Sequence, residues 1–423
     1  MRGPLVIRVV AVTERRAVAR GLILVGAATL IGNAAAYLLS IVAARALVPA
    51  EFGAMGAMLG ILIIIATLSM AVQTYAARRV STAGANRAEV EGQVIRFATI
   101  IGLLVIVGGL VVAWPLGPIF SIPYAALAMG IASVGFVVFG TGSLGIAQGR
   151  EEHVRFSIGF LANGFGRAFV GIAFVLLFPS IEGVAAGLLI GCAVGAVISY
   201  LVICPRTWAS ALTAGGTSEY LHIAHALIVL FTLTNIDVLL ARIFLTENQS
   251  GEYAVGVLLA KIAFFLPNAI IIVLFPKMSA GKSRRTVLVA TGLTAVVGLV
   301  ITAFSFVFGS LVIRILGGAQ YADLASEAWL FALEGSAFAL VQVLLYARLA
   351  AQDRKAALSV WIALVALVAI IVFWRHNSLA EIVTSVVAVS LALTIAGLVM
   401  DARSSRGANE QDEELVVPIE AAE

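Results

Sequence analysis

Charge is what this chain has least of. Only 12% of its 423 residues are Asp, Glu, Lys or Arg, against about a quarter in soluble domains. So few charges cannot cover a water-facing surface, which excludes an ordinary soluble globular protein. Cysteine is nearly absent. Cys192 and Cys204 fall twelve residues apart on one expected helix, about 18 Å along its axis, whereas a disulfide needs Cα atoms within about 7 Å. No disulfide framework follows. The four histidines are scattered and form no metal motif, so neither a metal nor a cofactor is expected. The short period-two strands of a membrane barrel are missing as well.

What fills the space is apolar sequence. Apolar residues make up 61% of the chain and the mean hydropathy is +1.08. The apolar runs are continuous and reach the ~20 residues that a bilayer core demands. In hydrocarbon the backbone must satisfy its own hydrogen bonds, so uninterrupted runs of this length read as helices. The expected spans are 21–44, 53–76, 97–118, 123–145, 157–178, 182–204, 220–243, 253–275, 286–308, 328–347, 356–374 and 380–400. The expected fold class is therefore an all-α polytopic membrane protein of about 12 transmembrane helices in two six-helix halves. Residues 1–20 read as an N-terminal segment, 21–204 as the first half, 205–219 as a linker, 220–400 as the second half and 401–423 as a disordered acidic tail. The first run is long enough to span, so the five arginines before it precede an uncleaved helix rather than a signal peptide.

The basic residues test this count. With the N-terminus cytoplasmic, 21 of the 27 Lys and Arg residues fall on the cytoplasmic side and only Arg45, Arg242, Arg314 and Arg375 on the other. The positive-inside rule then puts both termini in the cytoplasm. A missed or invented helix would invert every later loop. No outer loop exceeds about 20 residues, which argues against an inserted catalytic domain, and no nucleic-acid partner is expected.

A weak internal repeat links the halves. Ala44-Arg45, a short loop and Glu51-Phe52-Gly53 in the first half match Ala241-Arg242, a short loop and Glu252-Tyr253-Ala254 in the second. Transporters with parallel repeats carry substrate between their halves.

Charged residues inside spans are costly and default to functional candidates. Four stand out: Arg167, Asp237, Lys261 and Glu334. Arg167 lies near the middle of the fifth span, one turn beyond Asn163. It either lines a watery cavity or pairs with a carboxylate such as Glu334. Asp237 and Lys261 lie at similar depth on consecutive spans and are placed to form a salt bridge, fixing helix packing; the other reading gives Asp237 or Glu334 a coupling proton or sodium ion. On an ideal helix Asn235 and Arg242 share one face and Asp237 lies on nearly the opposite one. Asn33, Tyr37 and Ser40 form a comparable polar stripe on the first span. Gly140-Thr141-Gly142-Ser143 suits close helix packing.

The stretch Gly32-Asn33 to Tyr37, followed by Ala44-Arg45-Ala46-Leu47-Val48-Pro49-Ala50-Glu51-Phe52-Gly53, resembles the opening of bacterial polysaccharide-biosynthesis membrane proteins. These are O-antigen and exopolysaccharide flippases of the multidrug/oligosaccharidyl-lipid/polysaccharide exporter superfamily. Asn235-Ile236-Asp237, Ala241-Arg242, Gly251-Glu252-Tyr253-Ala254, Phe275-Pro276-Lys277 and Gly317 to Tyr321 resemble its second-half counterparts. The resemblance implies a V-shaped, MATE-like transporter fold in the bacterial cytoplasmic membrane. It implies movement of a polyprenyl diphosphate-linked oligosaccharide, with membrane lipids and polysaccharide-assembly proteins as further partners. On that reading Arg167, with Arg242 and Lys261 behind it, offsets the diphosphate, while Asn163, Asn235, Asn33 and Tyr37 line the polar route. A rival within the same fold is a multidrug or organic-cation antiporter relying on Asp237 and Glu334. A glycan polymerase or ligase would need a long outer loop bearing catalytic residues. A major-facilitator transporter would carry a glycine-bounded Asp-Arg pattern after the second span, and 78–96 lacks it.

Overall fold

A computed structural model describes residues 4–205, 216–265, 284–350 and 355–415, with side chains in 24–205, 220–265, 287–345 and 358–399 apart from 222, 223 and 226. Every element among the described residues is helical. In chain order these are α1 (Pro4–Ala46), α2 (Pro49–Ser81), α3 (Arg87–Ile119), α4 (Tyr124–Gly149), α5 (His153–Phe165), a π-helical turn (Gly166–Val170), α6 (Gly171–Leu177) and α7 (Ile181–Ile203). There follow α8 (Gly216–Leu233), α9 (Ile236–Phe244), α10 (Glu247–Phe265), α11 (Arg284–Val307), α12 (Gly309–Leu316), α13 (Ala328–Ala350), α14 (Lys355–Phe373) and α15 (Leu379–Leu415).

Nine of the described helical spans are long and apolar enough to cross a membrane, and α8 with α9 makes a tenth, broken one. Leu358–Phe373 is a shorter apolar helix. The eighth expected span, 253–275, begins within α10, and its last ten residues lie outside the described residues, as does most of the expected 205–219 linker. The segment 401–415, read from sequence as a tail, forms the last turns of α15.

The chain forms two compact units. Unit 1 comprises Met1–Asn235 and Thr246–Gly251; unit 2 comprises Ile236–Leu245 and Glu252–Glu423. Each is built around its fourth spanning helix. In unit 1, 67% of the α4 window is buried against 28% of the α3 window; in unit 2, α13 is likewise 67% buried and α11 22%. Small residues let α4 sit at the centre. A Cβ added at Gly142 would meet the Ala98 methyl at 2.5 Å, one at Gly149 would meet the Ala77 carbonyl at 2.7 Å, and one at Gly140 would meet Ala196 at 3.2 Å. The Gly140–Ser143 stretch thus packs α4 against α3 and α7, as its composition suggests. The outer helices instead carry exposed apolar side chains suited to lipid, such as Leu104, Val111 and Trp114 on α3 and Leu299 and Phe306 on α11.

The helix ends explain themselves locally. Pro49 opens α2 at a position where its missing N–H is no loss. Ser180 caps α7 by accepting from the Gly183 amide at 3.1 Å, and Glu51 reaches over to accept from the Ile181 amide at 2.6 Å. Together they satisfy two of the free donors at that helix start. At the end richer in basic residues, Arg150 closes a fork on Glu91, Nε–Oε1 2.7 Å and Nη2–Oε2 2.5 Å, and donates from Nη1 to the Ile203 carbonyl at 3.0 Å. Glu91 is fully buried. The pair ties α3, α4 and the last turn of α7 beside an apolar cluster that includes Tyr75, Ile95, Leu144 and Phe156. The Glu91 carboxylate holds the Arg150 guanidinium above its ordinary range.

Candidate functional site

Arg167 stands on the π turn that interrupts the fifth span. Such turns carry one extra residue against the α repeat and recur at functional sites. The neighbouring helix supplies a reason for it. Gly183, Gly187, Gly191 and Gly195 recur every fourth residue on α7, with Ser199 next in the row. They form a groove with no side chains, and the backbone around the π turn lies in it. A Cβ at Gly187 would stand 2.9 Å from the Gly171 Cα, one at Gly191 3.0 Å from the Arg167 Cα, and one at Gly195 2.7 Å from the Asn163 Cα.

Asn163 and Ser199 complete the seam. Asn163 donates to Ser199 Oγ at 2.5 Å and to the Gly159 carbonyl at 3.0 Å, while Ser199 donates to the Gly159 carbonyl at 2.9 Å. The amide nitrogen of Asn163 is thereby committed to packing, and its buried Oδ1 has no hydrogen-bond partner among the described residues. On the other side, α1 runs alongside: a Cβ at Gly164 would lie 3.2 Å from the Gly32 Cα, and one at Gly171 2.9 Å from Leu39. In that register Asn33 and Tyr37 fall two residues to either side of the Arg167 level, about 3 Å along the axis. Asn33 and Tyr37 therefore bracket the level of Arg167 in unit 1, with Asn163 one turn earlier on α5. Arg167 is half-buried and its side chain makes no hydrogen bond or ion pair among the described residues; the Cys192 thiol of α7 is within its electrostatic reach.

The carboxylate offered by sequence as a partner for Arg167 is engaged elsewhere. Glu334 on α13 is 1% exposed and lies within electrostatic reach of Asp237 of α9, which is also 1% exposed. Tyr253 of α10 donates to Asp237 Oδ2 at 3.0 Å, and its ring meets Phe331 edge-on at 5.1 Å. Lys261 interacts with both carboxyl groups but closes no direct ion pair among the described residues. The Asp237–Lys261 salt bridge read from sequence is thus replaced by a wider group, because Glu334 enters it from a helix almost a hundred residues on.

The shared face read for Asn235 and Arg242 does not form either. The seventh span breaks at Thr234-Asn235, so turn-by-turn extrapolation does not cross it. Asn235 closes α8 instead, donating to the Phe231 carbonyl at 2.9 Å and Thr234 Oγ at 3.2 Å. Arg242 is buried on α9 in unit 2. Ser40, in the α1 stripe, turns its hydroxyl back to the Ala36 carbonyl at 3.4 Å. Among the described residues no three His, Cys, Asp or Glu side chains meet as a metal site.

The sequence profile of the polysaccharide biosynthesis protein family matches residues 18–282. The chain belongs to that family. Its fold is that of MATE transporters. An inward-facing multidrug resistance MATE family transporter of the MOP superfamily superposes with a TM-score of 0.75 at 14% identity, covering 88% of this chain and 95% of that one. The outward-facing form of such a transporter gives 0.67 at 15% identity, with 91% and 95% covered. A MOP superfamily transporter from Pyrococcus furiosus, described as having a binding pocket of reverse polarity that suggests a different function, gives 0.58 at 15% identity, with 91% and 93% covered. A comparison with curated protein sequences finds no match.

Glycines in three of the motifs behind the family resemblance make close packing contacts. Within unit 1 the two repeat-related loops touch: a Cβ at Gly53 would overlap Ser250 and come within 2.8 Å of the Gly251 amide, and one at Gly251 would run into the Pro49 backbone. Gly317 lies under the Tyr321 ring, and Gly318 takes a φ of 92° that suits glycine. Phe275-Pro276-Lys277 lies outside the described residues. Three features of this family member were not named as site elements from sequence. The α7 glycine row was open to view as a four-residue repeat. Tyr253 stood in a quoted motif without a role. Glu91 looked like any loop charge, and nothing local to it signals burial.

Proposed function

We propose that this protein is a transporter that moves a polyprenyl diphosphate-linked oligosaccharide, or a related glycolipid, across the bacterial cytoplasmic membrane for polysaccharide export. Arg167 receives the diphosphate. The observation that carries this reading is a half-buried arginine on a π turn in the middle of a spanning helix, whose side chain makes no hydrogen bond or ion pair among the described residues. A charge at that depth costs about 2.5–3.5 kcal/mol on insertion scales. Water or an arriving anion must answer it. The planar guanidinium fork matches phosphate oxygens in pairs. Asn33 and Tyr37, which bracket the Arg167 level on α1, add polar groups for a sugar, whose hydroxyls cannot cross hydrocarbon bare. Membership of the polysaccharide biosynthesis family supports a saccharide cargo.

The basic-residue pattern supports cytoplasmic termini, and that orientation gives the transport its direction. With a negative interior, outward movement of an anion is favoured by about 2.3 kcal/mol per charge per 100 mV. The partners on this reading are the lipid-linked oligosaccharide, the surrounding lipids and the polysaccharide-assembly machinery.

In a strain lacking the protein, Arg167→Ala should restore neither surface glycan nor the normal level of lipid-linked oligosaccharide, although the variant reaches the membrane. Arg167→Lys should restore part of the export, keeping the charge without the fork. Full export by Arg167→Ala refutes the assignment. A second reading, an organic-cation antiporter, is favoured by the two buried carboxyl groups Asp237 and Glu334. It requires cation efflux that is lost on replacing either one, with surface glycan unchanged.

A further inference from the structure

Unit 1 joins its third and fourth spans, α3 and α4, by the short stretch 120–123, whereas unit 2 joins α11 and α13 through 308–327. The longer connection is a folded piece. Helical geometry breaks at Phe308 (φ −112°, ψ 26°), and α12 follows. Gly309 lies so close to the Ala325 carbonyl that no Cβ fits, and a Cβ at Gly317 would stand 2.5 Å from the Tyr321 ring. Gly309, Ile313 and Leu316 are buried, as are Tyr321 and Leu324 of the 3-10 segment Ala319–Ser326 on which α12 packs. At 3.6 residues per turn Leu311 and Ile315 lie opposite Gly309 and Ile313. That second face is apolar too, yet it is open: Leu311 is 50% exposed, Ile315 53% and Phe308, just before the helix, 46%. Arg314, also exposed, stands beside it.

The length of α11 sets the depth of this piece. Its apolar span Val287–Val307 has 21 residues, about 31 Å at 1.5 Å per residue, which uses up a hydrocarbon core of about 30 Å. α12 therefore begins where acyl chains give way to headgroups, at the end of α11 away from Arg284 and Arg285. Aromatic rings mark the level, as they do at membrane interfaces: Phe304 meets Phe308 at 4.9 Å, and Phe306 meets Trp329 edge-on at 6.1 Å. An amphipathic helix in this layer lies in its plane with the apolar face towards the chains, and an arginine beside that face lays its stem on them and its head among the phosphates. We propose that α12 is an interfacial anchor seated on a phospholipid of the adjoining leaflet, whose acyl chains lie against Phe308, Leu311 and Ile315 and whose phosphate meets Arg314. The open face runs on into the exposed Phe304, Phe306 and Val307 at the end of α11, and this continuity with the lipid-facing surface makes lipid its occupant. Over 308–327 Arg314 is the one basic residue, against Asp323 and Glu327. The phosphate is thus held by local contact, and a net negative charge on the headgroup adds no attraction.

The test uses the purified full-length protein and needs no transported cargo, so it stands or falls apart from the glycolipid reading. With Cys192→Ser and Cys204→Ser in place, a bimane fluorophore is attached at Leu311→Cys, Ile315→Cys or Asp323→Cys, all exposed positions, in nanodiscs containing phosphatidylcholine brominated near the headgroup end of its chains. The labels at 311 and 315 should be quenched strongly and the label at 323, a charged site, weakly. In detergent, added phosphatidylethanolamine should raise the melting temperature with the logarithm of its concentration, because ligands that bind the folded state stabilise it in that way. Phosphatidylglycerol should do no better, and Arg314→Ala should lose most of the rise. Quenching at 311 and 315 no stronger than at 323 overturns the interfacial seat. An undiminished rise in Arg314→Ala, or an equal rise with diacylglycerol, which has no phosphate, overturns the phosphate contact. A larger rise with phosphatidylglycerol overturns the local-contact reading, and a rise seen only with a polyprenyl diphosphate overturns phospholipid as the occupant.

Discussion

Gly191→Ala probes the seam that shapes the π turn. The added methyl would lie 2.7 Å from the Gly166 carbonyl carbon and 3.0 Å from the Arg167 Cα, where carbon atoms prefer about 3.5–4.0 Å. Both obstacles are backbone, so no side chain can rotate aside, and α7 must move away by roughly 1 Å. Overpacking of this kind costs ~1–3 kcal/mol, and the rigid neighbours place it near the upper end. Alanine returns about 1 kcal/mol through its better helix propensity. The expected outcome is a net destabilisation of about 2 kcal/mol together with reduced glycan export, since the retreating helix displaces Arg167. Gly108→Ala on α3 is the control, because a methyl there meets nothing within 4 Å; it should be neutral or stabilising by up to about 1 kcal/mol. Thermal melting of the purified variants, paired with surface-glycan assays in the deletion strain, measures both effects. If Gly191→Ala melts with Gly108→Ala and exports normally, the glycine row does not position the arginine.

Arg150→Met should destabilise unit 1 by ~3–5 kcal/mol, since it strands the buried Glu91 carboxylate; adding Glu91→Leu should recover part of the loss, and a double-mutant cycle on melting data checks it. Glu252 precedes the eighth span, and partial burial together with the charges of Asp323 and Glu327 raises its carboxyl above the ordinary range. The folded state therefore binds its proton before the unfolded state does, and stability declines as pH rises from the ordinary carboxylate range through the raised value. Glu252→Gln should accordingly melt higher than the wild type at neutral pH, with the difference closing as the pH falls towards 4, as melting curves across pH would show.

The helices were legible because their signal is local. Each lies in a run of apolar residues, and the alternation of basic ends disciplines the count. Arg167 was legible as an anomaly for the same reason: one charge in an apolar stretch declares itself. Its setting was not. The π turn depends on what faces it, and the facing glycines lie on another helix, more than fifteen residues away. The break at Asn235 was hidden because a periodic reading assumes an unbroken helix, and no proline or glycine marks the place. Asp237 and Lys261 were close enough in sequence to be paired on sight. Glu334 joins them only because Gly335 lets α13 touch α10, a contact that hydropathy cannot register.

Unit 1 is not finished when its first six spans are made. It also requires α8, whose Tyr220 packs edge-on against Phe97 at 5.2 Å, and Thr246–Gly251, whose glycine presses on Pro49. At roughly 5–20 residues per second, the ribosome needs about 2–10 s after Ile203 to deliver Gly251. Until Tyr220 arrives the α3 face around Phe97 lacks that ring, and for the whole interval the loop around Gly53 lacks its Ser250–Gly251 contact in the nascent chain. A truncation or stall between 205 and 251 would release a protein that has inserted six helices yet lacks the pieces that close its first body, a natural substrate for membrane quality control.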